Sequence, residues 1–98
     1  MAVPDPEKHN NRLEDEYRYY FVEHLNLVGR VRGENVFFSE VYQPGSGWVR
    51  DVNHDISDRI LGYDPSEEPG WRMGNTDIME EIRSISREEA MRLISERV

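Results

Sequence analysis

At 98 residues the chain has the size of one domain, able to bury about 60 to 70% of the surface its unfolded form exposes. It contains no cysteine, which excludes disulfides, thiolate nucleophiles and Cys-ligated zinc together. The net charge of −8 opposes a phosphate-rich ligand, so a nucleic-acid partner is not expected, and the same field favours encounter with a basic one.

The charge is unevenly placed. Residues 1 to 16 carry five acids against Lys8 and Arg12, residues 17 to 50 carry four Arg against three Glu, and residues 51 to 98 carry twelve acids against six Arg. The middle of the chain is therefore nearly neutral and its C-terminal half is an acidic body. Met1 to Glu16 shows no basic segment followed by an apolar run, so neither a signal peptide nor a membrane span is expected, and a cytoplasmic location follows by default.

Residues 1 to 13, with Pro4 and Pro6 and little apolar periodicity, read as an N-terminal arm, and residues 14 to 98 as a single α+β domain. Tyr17 to Val22 is aromatic and β-branched. As a strand it places Tyr17, Tyr19 and Phe21 on one face and Arg18, Tyr20 and Val22 on the other. Helix competes over Glu14 to Leu27, where no Gly or Pro interrupts and Leu13, Tyr17, Tyr20, Phe21, His24 and Leu25 fall at helical spacing; strand is preferred. Leu27 to Arg32 alternates, and Gly33-Glu34-Asn35 tolerates the positive φ of a tight reversal. A strand from Val36 to Tyr42 follows. Pro44-Gly45-Ser46-Gly47 then turns the chain into Trp48 to Val52, which makes a hairpin.

Asn53 or Asp55 is positioned to cap a short helix through Leu61, with Ile56, Ile60 and Leu61 as its buried stripe and Gly62 at C′. Tyr63 to Gly70 reads as a loop and Trp71-Arg72-Met73 as an edge strand. Thr76 or Asp77 caps a further helical turn carrying Ile78 and Ile82, although Ile82 to Ile85 also suits an extended chain. The last element is the clearest. Ser86 as N-cap with Glu89 at N3 forms a capping box, Ile85 staples onto Ala90, Ala90, Leu93 and Ile94 form the core stripe, and Glu88 stands one turn from Arg92. The fold expected is an antiparallel three- to four-stranded β-meander packed against a C-terminal helix and one or two short helices.

Asp51, Asn53, Asp55 and Ser57 follow the first ligand spacings of an EF-hand calcium loop, but Ile56 stands where that loop needs Gly and Gly62 where it needs a bidentate Glu. Helix capping accounts for the same short polar residues. His54 and Asp58 lie one turn apart and could hold a metal or act as a base with its orienting carboxylate; a catalytic zinc usually takes three protein ligands, and neither His9 nor His24 is brought there by the sequence. His24 beside Glu23 has a partner for acid–base work but no nucleophile: nucleophile elbow, phosphate loop and dinucleotide fingerprint are all missing. Arg18, Arg30 and Arg32 interleaved with Tyr17, Tyr19 and Tyr20 suit base stacking, yet cross-strand Arg–Glu pairing on a solvated face explains them in an acidic chain. No metal and no cofactor is expected.

Gly47-Trp48-Val49-Arg50-Asp51, Leu61-Gly62-Tyr63-Asp64 and Ile82 to Ala90 together resemble small uncharacterised bacterial proteins, some of them similar to immunity proteins. Those proteins pair a β-meander with an Ile-Ser/Thr-x-Glu-Glu-Ala C-terminal helix. The resemblance covers the C-terminal half and implies no catalytic residue. From the residues themselves, the function expected is non-catalytic recognition, and inhibition or regulation, of a basic protein. Trp48, Tyr63 and Trp71 serve as aromatic anchors and Asp64, Glu67 and Glu68 as acidic contacts. The competing reading is a small enzyme or enzyme subunit using His54 with Asp55 or Asp58. An edge strand also leaves room for a homodimer.

Overall fold

A computed structural model describes residues 17–64, 66 and 73–97. Five strands, β1 (Tyr17–Val22), β2 (Leu27–Arg32), β3 (Ser39–Gln43), β4 (Gly47–Arg50) and β5 (Ile82–Ile85), form one sheet in the order β4-β3-β2-β1-β5. Every pairing is antiparallel. The helices are α1 (Asp55–Leu61), α2 (Thr76–Met79) and α3 (Arg87–Ser95). No helix among the described residues is long and apolar enough to cross a membrane. The fold is α+β, with one strand more than the expected meander: Ile82–Ile85 crosses over after α1 and α2 to pair with β1. The expected arm over residues 1 to 13 lies outside the described residues, as do Trp71 and Arg72; Met73 is in no strand.

Tyr17–Val22 is a strand rather than a helix because it pairs on both sides, with β2 and β5, and buries side chains on both its faces. Tyr19, Phe21, Val28 and Ile85 form one core with Ala90 of α3, flanked by Tyr17, Trp48, Leu93 and Ile94. Val22, Val31 and Val41 form the other with Ile56 of α1, flanked by Tyr20, Leu27, Val36, Val49, Ile60 and Ile82. The sheet is thus filled between two helices on opposite faces. In the α1 layer, Gly29 of β2 lies directly under Ile56, and a Cβ at that position would sit 2.3 Å from Ile56 Cδ1.

Local hydrogen bonding shifts several expected boundaries. β3 begins at Ser39 rather than Val36, because Asn35 takes both nearby donors: its Oδ1 accepts the Phe37 N–H at 3.0 Å and its carbonyl accepts the Phe38 N–H at 3.1 Å. Val36 turns inward while Phe37 and Phe38 stay exposed. β4 ends at Arg50 rather than Val52, and Asp51 caps α1 in place of Asn53 or Asp55. Its Oδ1 accepts from the Asp55 N–H at 2.9 Å and its Oδ2 from the Ile56 N–H at 2.8 Å, while the Ser39 hydroxyl donates to Oδ2 at 2.9 Å. His54 adopts the left-handed conformation (φ 58°) that lets the helix start four residues beyond Asp51. Asn75, not Thr76 or Asp77, caps α2 by accepting from Asp77 N–H at 2.9 Å, and α2 stops at Met79, which frees Ile82 for β5.

The cap of α3 is as expected, with Ser86 Oγ accepting the Glu89 N–H at 3.0 Å and Ile85 and Ala90 in the same core. The Glu89 carboxylate, however, faces Arg83 at 3.4 Å and Arg92 at 3.8 Å, and Arg92 bonds Glu96 at 3.0 Å rather than Glu88. Ser86→Ala is expected to cost about 1 kcal/mol through loss of the cap acceptor, and Ser86→Asp to recover most of it. Urea titration of the three proteins checks this; equal midpoints would show that the cap does not hold the helix. Gly47 opens β4 at φ 83° with the Ser46 N–H bonded to Gln43 O at 3.0 Å. Gly47→Val is therefore expected to cost more, about 2 kcal/mol, and a neutral thermal melt would contradict the turn geometry.

Candidate functional site

Pairing of β5 with β1 brings the connection before β5 against the turn between β1 and β2, a 3-10 turn over Glu23–Leu25 closed by Asn26 at φ 50°. α1 ends nearby, and Gly62 makes its C′ position with φ 68°. Asn75 N–H donates to Gly62 O at 2.9 Å, which pins α2 to the end of α1. A Cβ on Gly62 would lie 2.6 Å from Asn75 N, so this close approach requires glycine.

The result is a recess of about 350 Å³ lined by His24, Asn53, Asp55, Asp58, Arg59, Tyr63, Asp64, Ile78 and Glu81. A second hollow of about 330 Å³ adjoins it, sharing His24 and Glu81 and adding Glu23, Glu80 and Arg83. Arg59 is the internal counter-ion. Its Nε donates to Glu81 Oε1 at 3.0 Å, its Nη1 donates to the Asp55 carbonyl at 3.0 Å and lies 3.4 Å from Asp55 Oδ1, and its Nη2 stands 3.4 Å from His24 Nε2. His24 Nε2 is in turn 4.0 Å from Glu81 Oε1.

One guanidinium therefore serves Asp55 and Glu81, while Asp58 and Asp64 have no ion pair among the described residues. Burial pushes the Asp58 carboxyl above its usual range, and repulsion from Asp51 and Asp55 adds to this against the opposing pull of His54 and Arg59. Asp64 moves the other way: it accepts hydrogen bonds from the Ser66 hydroxyl and N–H, which hold its carboxyl below the usual range and its charge in place at the recess mouth. Tyr63 supplies a half-buried ring beside these acids. An anionic hollow with an aromatic wall and two carboxylates without an ion pair among the described residues is suited to a cationic side chain.

The expected contact residues divide. Tyr63 and Asp64 are in the recess. Trp48 is on the α3 face of the sheet, where its ring packs 5.7 Å from Tyr42 and 6.1 Å from Tyr19 and covers the Arg30 guanidinium at 4.3 Å. Trp71, Glu67 and Glu68 lie outside the described residues. Arg30 is also stacked on Tyr17 at 4.0 Å and bonded to Glu40 at 2.7 Å, the cross-strand pairing anticipated for this face. Tyr19 is only 6% exposed and cannot stack a base.

His54 Nδ1 stands 3.4 Å from the hydroxyl of Ser57, which is fully buried in the first turn of α1. No group of three or more His, Asp or Glu able to hold a metal occurs among the described residues. Sequence reasoning did not join His24 or Glu81 to Tyr63 and Asp64, since only the pairing of β5 with β1 does so. No family model, curated protein or solved structure matches the chain.

Proposed function

We propose that the protein is a non-catalytic recognition module for a basic protein segment, and that it inhibits or regulates the protein bearing that segment. The partner's Arg or Lys side chain enters the recess, faces Asp58 and Asp64, and lies against the ring of Tyr63. The observation that carries this reading is the four carboxylates that line the recess, Asp55, Asp58, Asp64 and Glu81, of which Arg59 pairs with Asp55 and Glu81 alone among the described residues. The nearby acids Glu23 and Glu80 outnumber Arg83 in the adjoining hollow and extend the negative surface there. Such a surface steers a cationic partner and raises its association rate at low salt.

The test pairs binding with stability. Folding raises the Asp58 pKa, so ionised Asp58 opposes folding: wild-type protein gains stability as pH falls through the raised value, and the gain is complete once pH is below the ordinary carboxylate range. Asp58→Asn removes that opposition. At pH 7 it is expected to melt above the wild type, with the gap closing toward acid, while its affinity for a labelled Arg-rich peptide falls about tenfold, equivalent to about 1.4 kcal/mol. A variant that binds the peptide as well as the wild type would remove the recess from the account, and one that is less stable at pH 7 would show that ionised Asp58 does not oppose folding.

A further inference from the structure

The opposite end of the sheet carries a groove of about 820 Å³, whose walls include Tyr17, Arg32, Gly33, Phe37, Phe38 and Arg50. Volumes of this order are those of ligand sites. Its apolar walls are Phe37 and Phe38, 58% and 68% exposed, held out of the core by the turn at Asn35. Two adjacent phenylalanines left in water within one groove are an unusual surface for a chain so rich in charge.

The groove is also the basic end of an acidic molecule. Arg18 Nη2 donates to the Gly33 carbonyl at 2.9 Å, which brings a third guanidinium to the wall formed by Arg32 and Arg50. Glu40 sits across from Arg50 in the β3–β4 ladder, but its carboxylate is held by Arg30 at 2.7 Å. Arg50 consequently has no ion pair among the described residues, and Glu40 is the one acid among those that line the groove.

We infer that this groove docks an acidic peptide segment of a partner protein, with an aromatic or aliphatic side chain of the peptide against Phe37 and Phe38 and a flanking carboxylate on Arg50. Apolar anchors supply most of the lifetime of such a contact and the arginines its sign preference. The inference is independent of the recess, whose charge is opposite and which lies at the other end of the sheet. Together the two ends let one small domain bridge a basic and an acidic segment.

The test is fluorescence anisotropy of the full chain with a labelled peptide of alternating Asp and Phe, compared with Asp–Ser and Lys–Phe peptides of equal length. The Asp–Phe peptide is expected to bind at least about tenfold more tightly than either control. Arg50→Glu and the double substitution Phe37→Ser with Phe38→Ser should each weaken it by about the same factor while leaving the melting temperature, and the binding of an Arg-rich peptide to the recess, unchanged. No binding of the Asp–Phe peptide, equal binding of the Lys–Phe peptide, or unaltered affinity in both variants would overturn the proposal. So would sedimentation showing a dimer that these substitutions dissolve, because the occupant would then be a second copy of the chain.

Discussion

Gly29→Ala should lower the melting temperature by roughly 15 °C, since overpacking of about 3 kcal/mol shifts a domain of this size by several degrees per kcal/mol. The added Cβ would stand 2.3 Å from Ile56 Cδ1, 2.4 Å from Ile56 Cγ1 and 3.2 Å from the Glu40 carbonyl. Ile56 is wholly buried among Val22, Val31 and Val41, so its side chain has no free space to swing into, and α1 must lift from the sheet. Ile56→Ala alone should cost about 3 kcal/mol through the cavity it leaves. In the double variant the new methyl occupies part of that cavity, so the combined loss should be well short of the sum. Chemical denaturation of the four proteins reads the coupling directly; additive losses would mean that Gly29 and Ile56 do not share a space.

Asp51→Ala is expected to be about as damaging, at about 3 to 4 kcal/mol. Asp51 is 4% exposed and accepts three hydrogen bonds, from Ser39 Oγ and from the N–H groups of Asp55 and Ile56. Truncation leaves a buried hydroxyl and two helix N-terminal donors without an acceptor, in a place with little room for water. Asp51→Asn keeps one oxygen and turns an NH₂ toward a donor, so it should recover only part of the loss. The distinguishing readout is hydrogen exchange, where the first turn of α1 should lose protection in Asp51→Ala before β1 and β2 do. Uniform loss across the domain would show that Asp51 supports something other than the α1 start.

The elements set by local chemistry were legible in the sequence. The β3–β4 hairpin follows from Pro44-Gly45-Ser46-Gly47, and the start of α3 from Ser86 with Ile85 and Ala90, because turn and cap geometries are satisfied within a few residues. Where a short polar side chain competes with strand propensity or with a nearer cap for the same N–H groups, the boundary differs from the one expected. Phe37 and Phe38 have high strand propensity, yet Asn35 claims their N–H groups and β3 starts after them. The spacing of Asp51 matches the first ligand of a calcium loop, whereas its oxygens cap a helix that begins beyond a left-handed His54.

The candidate site shows the same division. Tyr63 and Asp64 stood out as an aromatic and an acid next to a helix-ending glycine. His24 and Glu81 join them only through the pairing of Val22 with Ile82, a contact across sixty positions that no local pattern encodes. Trp48 lies on the edge strand β4, where its ring covers Arg30 on the α3 face of the sheet.

The central claim, that the recess between α1, α2 and the β1–β2 turn receives a cationic side chain, is tested most directly by titrating the isotope-labelled protein with an Arg-rich peptide and following backbone amide NMR shifts. The account predicts saturable shifts concentrated at His24, Asp58, Tyr63, Asp64 and Glu81, weakening steeply as salt rises from 0.05 to 0.3 M because exposed charges are screened over about 10 Å or less. Shifts centred instead on Phe37, Phe38 and Arg50, or small shifts spread over all exposed acids without saturation, would contradict it.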